Sequence, residues 1–276
     1  MMRALKECAF VSTAHINRIV TTVPPHDVHS AFVRYARTLL EDRRAVTVFD
    51  RMVDKTQISH RYAVLPPSVD PEGISVDATG VYSRGRFPNT ADRMRLYELH
   101  APELAERTVA GLGLGAEARR ITHVIVTSCT GMYAPGLDLD LVRRCDLDPS
   151  VERTMVCFMG CYAAINALKL ARHIVRSEPA ARVLILNLEL CSLHLQETAS
   201  LEQMLSFLVF ADGCAASLVS ADPVGLALGA GCTATPSTPP PSPPTPPTCP
   251  PGHLRSRFLT CPPRHLQPTC RKSQPC

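Results

Sequence analysis

The chain has 276 residues, room for one large domain or two ordinary ones, with 45% hydrophobic and 20% charged residues and a formal net charge of +4. The positive excess is local: no Asp or Glu follows Asp222, while Arg255, Arg257, Arg264, Arg271 and Lys272 all do, so the preceding body is slightly acidic and shows no basic stripe for nucleic acid. No apolar run reaches the roughly 18–20 residues of a membrane span, and the opening "MMRALKECAF" is too short and mixed for a signal peptide.

The body alternates between two periods. "CAFVSTAHINRIV" reads as a strand and loop, and "HSAFVRYARTLLEDRRA" as a helix with Phe32, Tyr35, Ala36, Leu39 and Leu40 on one face. "AVTVFDRMVDKT" then leads into a polar, proline-bearing stretch ending near Pro88. A long helix starts at about Asn89, with Met94, Leu96, Tyr97, Leu99 and Leu104 among its apolar positions. "ITHVIVTS" is a buried strand by its β-branched content, and "DLDLVRRCDL" a short helix. Strand "RTMVCF", helix "YAAINALKLARHIVRS", strand "RVLILNLEL", helix "SLEQMLSFLVF" and strand "CAASLVSA" follow. Strands alternating with helices of this length predict an α/β fold with βαβ crossovers and a mostly parallel sheet covered on both faces.

After "GLALGAGCTA" the text changes. Residues 236–276 hold 14 of the 25 prolines, and no helix or strand period survives that density. The boundaries read as a body over 1–231 and a Pro-rich tail over 232–276, either disordered or the product of a frame-shifted reading of GC-rich sequence.

Seven cysteines lie in the body: Cys8, Cys129, Cys145, Cys157, Cys161, Cys191 and Cys214. None forms a CxxC pair, so zinc-ribbon and thioredoxin readings are weak, no metal is expected, and free thiols in a reducing cytoplasm are the simplest reading. Cys161 stands apart by position, in "VCFMGCYAAINALKLARHIVRS", where a strand gives way to a helix. Gly160 permits a tight turn, small Ala163 and Ala164 let the helix lie close to the sheet, and the helix N-terminus offers unpaired N–H groups to a thiolate. Packing as a small buried hydrophobe is the alternative for any free cysteine. The nucleophilic reading expects Cys161 in the first helical turn with its sulfur facing a cavity.

From "VTSCTGMYAPGLDLDLVRRC" through "CFMGCYAAINALKLARHIVRS" to "LELCSLHLQ", with "DRMVDKTQISHRY" before and "FADGCAASLVSADP" after, the chain resembles the bacterial type III polyketide synthases, relatives of chalcone and stilbene synthases, over residues 8 to 222. The resemblance implies a thiolase-like αβαβα fold, of which this is the N-terminal half. It implies an acyltransferase that condenses a starter acyl-CoA with malonyl-CoA. Cys161 falls on the family cysteine that carries the acyl chain as a thioester, and Phe210 on a phenylalanine at the cavity entrance. Arg51 and Lys55 match cations that hold the coenzyme A phosphates, while a third such position reads Val48. Cys129, Cys191 and His194 fall where the family lines its cavity; inert packing and a hydrogen-bonded core histidine are the alternatives. No permanent cofactor is implied. The implied partners are CoA thioesters and a second copy of the chain in a homodimer, with neither nucleic acid nor membrane.

The family's catalytic histidine and asparagine belong to its second half. Here no Asn follows Asn187, and the only histidines beyond residue 222 are His253 and His265 in the tail. Two expectations therefore stand: an enzyme whose chain as given is incomplete and impaired, or a non-catalytic remnant that serves as a dimerisation or interaction protein.

Overall fold

A computed structural model describes residues 12–229. The Pro-rich tail falls outside the described residues. Eight strands and six α-helices alternate, as the two sequence periods require: β1 (His15–Thr22), β2 (His26–Asp27), α1 (His29–Leu39), α2 (Arg43–Thr56), β3 (Tyr62–Ala63), α3 (Thr90–Gly111), β4 (His123–Ser128), α4 (Leu137–Arg144), β5 (Glu152–Cys157), α5 (Ala163–Ser177), β6 (Val183–Leu190), α6 (Leu201–Val209), β7 (Asp212–Ser220) and β8 (Leu226–Ala227).

One six-stranded sheet, ordered β5-β4-β6-β7-β1-β8, carries the architecture, with β2 and β3 forming a separate pair. Its period-two alternation sorts side chains between two cores. On one face Val124, Val126, Leu184, Leu186, Leu188, Leu190, Ala216 and Leu218 meet α3 and α4. On the other, Ile125, Val183, Ile185 and Val219 meet α5. The result is an α/β/α sandwich, one half of an αβαβα stack. The four leucines of β6 are completely buried, and each such side chain stabilises the fold by about 1.5–3 kcal/mol.

The parallel part of the sheet is β5-β4-β6. Its connections carry α4 over one face and α5 over the other. The β6–β7, β7–β1 and β1–β8 ladders are antiparallel. The reason for the first lies in α6, which joins β6 to β7 without covering the sheet. It packs instead with α1 and α2 in a third cluster around Phe32, Tyr35, Phe49, Met204 and Leu208, so the chain re-enters the sheet in the opposite direction.

"AVTVFDRMVDKT", to which the sequence reading gave no element, is helix α2. Asp42 caps it by accepting from Arg44 N at 3.0 Å and Ala45 N at 3.3 Å, and Gln57 ends it in the left-handed conformation. The long helix starts where expected, with the Asn89 side chain accepting from Asp92 N. Leu99, an apolar position of that helix, is 68% exposed, because the buried stripe runs through Tyr97, Ala101, Leu104, Ala105, Thr108 and Val109 instead.

Helix α5 meets the sheet through Ala163, Ala167, Ala171 and Val175, spaced at four-residue intervals. Small side chains bring the helix axis close to the strands. Ala167 has no exposed surface, so Ala167→Leu should overpack this contact and cost about 1–3 kcal/mol. Urea unfolding followed by circular dichroism checks this, and an unchanged midpoint would contradict the packing described.

Candidate active site

The site is built at the C-terminal ends of β4, β5 and β6. Strand β5 ends at Cys157, and the chain then reverses into α5 within a few residues. Two residues adopt positive φ in doing so, Phe158 at 55° and Gly160 at 62°. A Cβ at Gly160 would meet nothing within 4 Å, so the backbone conformation, rather than lack of space, is what favours glycine there. Residues Gly160–Tyr162 form a single 3-10 turn, and Cys161 is its central residue.

Cys161 therefore lies just ahead of α5 rather than inside its first α-helical turn. It is exposed, so its sulfur faces no enclosed cavity among the described residues. Phe158, Met159 and Tyr162 beside it are also about half or more exposed, because nothing described covers this end of the sheet. No side chain caps the start of α5; Ala163 N, its first amide, donates to the Gly160 carbonyl, so the 3-10 turn runs directly into the helix and Cys161 lies at the positive end of its dipole.

The neighbouring thiols differ. Burial pushes the Cys157 thiol up and raises Cys191 to about 12. The negative charges of Glu189 and Asp212 add to the burial effect at Cys191. Cys129 is tied to the same turn: Gly160 N donates to Cys129 Sγ at 2.9 Å. Its own N–H donates to the Glu189 carboxylate at 2.9 and 3.0 Å. Thr130 Oγ1 donates to Glu189 at 2.8 Å and accepts from Leu190 N at 2.8 Å. His194, half-buried, donates from Nε2 to the Thr130 carbonyl at 2.7 Å. This web locks the loop after β4 to the end of β6. Gly131 continues that loop flat against the Tyr97 ring, which a Cβ would approach to 2.1 Å.

Cys191 and Phe210 meet in an apolar cavity of ≈ 80 Å³, whose wall includes Phe32, Arg61, Leu65 and Tyr82. Phe210 is the residue that ends α6, and it is 51% exposed. Arg51 and Lys55 stand one turn apart on the exposed side of α2, away from the residues lining this cavity. The buried side of α2 joins Phe49 to a cluster with Met204 and Leu208 of α6, so the cationic pair rides on a helix packed with α6.

Three polar residues of the site were not singled out from the sequence. Glu189 could have been found as the one charge in the apolar strand "LILNLEL". Asp212 and Arg61 gave no comparable signal. The Asp212 carboxylate accepts from Val64 N at 3.0 Å and from Ser192 N and Oγ at 2.7 and 2.6 Å. Burial outweighs these donors and pushes Asp212 up to about 6. A carboxyl raised on folding binds its proton more tightly in the native state. Its contribution to stability is therefore complete below about 4, its unfolded range, and is lost as pH rises through about 6. Wild type should thus gain thermal stability over Asp212→Asn as pH is lowered from 7 to about 4. Melting curves of the pair across that range test it, and a constant difference would show that Asp212 titrates normally.

The chain matches the family of chalcone and stilbene synthases, N-terminal domain, over residues 9–223. It is 35% identical over 178 residues to the α-pyrone synthesis polyketide synthase-like Pks18 of Mycobacterium tuberculosis, a match covering 63% of this chain and 43% of that protein. The chain thus spans less than half the length of this curated relative. The C-terminal type III polyketide synthase domain of Steely1, a type I/III hybrid from Dictyostelium, superposes with a TM-score of 0.67 at 23% identity, covering 76% of this chain and 57% of that one. CsyB complexed with CoA-SH gives 0.62 at 23% identity, covering 77% and 57%. These two likenesses concern the fold.

Proposed function

The chain belongs to the chalcone and stilbene synthase family of type III polyketide synthases, and from that premise we propose that Cys161 is the nucleophile of an acyltransferase using CoA thioesters. The observation that carries the reading is the placement of Cys161: an exposed thiol on a glycine turn, directly ahead of an uncapped helix N-terminus. The thiolate attacks the acyl carbonyl of a starter acyl-CoA, the tetrahedral intermediate collapses, and the CoA thiolate leaves and takes up a proton. Cys161 sits at the positive end of the α5 dipole, an arrangement that suits a nucleophilic sulfur.

The remaining roles follow from the same reading. Arg51 and Lys55, exposed and four residues apart on α2, bind the CoA phosphates, and the CoA-SH complex of CsyB supports that class of ligand. Phe210 shields the entrance of the apolar cavity, where loss of water favours decarboxylation of malonyl-CoA to the enolate that attacks the Cys161 thioester. Cys129, Cys191 and His194 shape the space around the acyl group. A homodimer in the cytoplasm completes the proposal.

Acylation and condensation place different demands on the chain. Condensation develops charge on an enolate and then on a tetrahedral oxyanion, and preorganised donors for that charge supply a large share of such catalysis. The resemblance assigns them to a later His and Asn, and no Asn follows Asn187 in this sequence. The reading therefore concerns acylation of Cys161, the step that the described residues can support.

Incubation with acyl-CoA, followed by intact-mass and peptide mass spectrometry, tests this. A single acyl adduct on Cys161 is expected, lost by orders of magnitude in Cys161→Ala. An adduct that persists in Cys161→Ala would remove the nucleophile assignment.

A further inference from the structure

Arg61 is a buried charge outside the roles already assigned; its Nη1 and Nε are hydrogen-bonded, and its Nη2 is buried without a partner among the described residues. Only 6% of it is exposed. Its Nη1 donates to the Phe210 carbonyl at 2.9 Å and to the Phe207 carbonyl. Those are carbonyls at the C-terminus of α6, where the helix leaves acceptors without partners and a cation is favoured. The Nε–H donates to His29 Nδ1 at 3.1 Å, and His29 can accept because burial, with Arg61 beside it, pulls its pKa down and keeps the ring neutral. The guanidinium lies 4.5 Å above the Phe32 ring. Arg61 N donates to Asp27, and its carbonyl accepts from Val28 N at 2.7 Å, so its backbone is fixed to β2.

These contacts converge on one residue. The Phe210 backbone is held from one side by its own helix, through Phe210 N to Ser206 O, and from the other by Arg61. Phe210, Arg61 and Cys191 line the same apolar cavity. We propose that Arg61 is a positioning residue that fixes Phe210 and thereby sets the bore of this cavity, and with it which acyl groups the chain accommodates. The proposal rests on the acyl-transfer reading for its functional consequence, but its structural part does not depend on it.

The full chain is compared as wild type, Arg61→Gln and Arg61→Lys, with iodoacetamide alkylation followed thiol by thiol. Cys191 lines the cavity; Cys214, 5% exposed in the central strand β7, reports general loosening of the fold. Loss of the guanidinium should speed Cys191 alkylation by about tenfold while leaving Cys214 within about twofold, because the opening is local. Arg61→Lys, which keeps a charge and a donor, should fall between. Equal acceleration of both thiols would assign Arg61 to general stability, and no change at Cys191 would equally overturn the proposal. In a second arm, Cys161 acylation by short and long unbranched acyl-CoAs should lose about tenfold of its chain-length preference in Arg61→Gln. An unaltered preference in a chain that acylates would count against Arg61. Absence of a Cys161 adduct in wild type would instead sink the acyl-transfer reading and leave the Cys191-to-Cys214 ratio to decide the role of Arg61.

Discussion

The backbone turn at Gly160 is the constraint on which the site depends. A chain leaving a parallel strand must reverse to place its next helix on the sheet, and here it does so in the few residues between Cys157 and Ala163. That requires positive φ at two of them. The small Ala163, Ala167 and Ala171 then let α5 settle on the strands, which fixes where its N-terminus points. Cys161 sits at that end as a consequence of the packing, and its chemistry follows from the turn and the helix together.

Around this turn the polar groups act as ties. Glu189 and Thr130 bind the end of β4 to the end of β6, and Cys129 receives the Gly160 amide. Asp212 anchors the turn after β6 to β3 through Ser192 and Val64. Each tie joins segments that neighbouring strands bring together at their ends but do not themselves immobilise. Buried groups of this kind are stabilising only when satisfied, and the site is accordingly dense in hydrogen bonds between distant parts of the chain.

Much of this was legible in the sequence, for physical reasons that differ by element. Strand β6 announces itself because both faces of its first half are buried, so it opens as the apolar run "VLIL", and α5 because its alanines recur at the helical period. Helix α2 was missed because only Phe49 on it is fully buried; its cap, Asp42, was the available signal. Cys161 was legible through the glycine beside it and the resemblance of the surrounding motifs. Its exposure was not, since burial of a turn depends on what covers it. Arg61 was invisible for the same reason that it matters: its partners Phe207 and Phe210 lie 146 and 149 residues away, and no local pattern marks such a contact.

The account stands or falls on whether the conformation at Gly160, and not exposure alone, makes Cys161 the reactive thiol. Competitive alkylation with limiting iodoacetamide at neutral pH, mapped by peptide, measures this in wild type and in Gly160→Ala. The added methyl has open space but is strained at a φ of 62°, so the substitution perturbs the turn without crowding it. Wild type should label Cys161 well ahead of Cys157, and Gly160→Ala should lose much of that preference while remaining folded. An equal preference for Cys161 in both proteins would contradict the central role given to the turn.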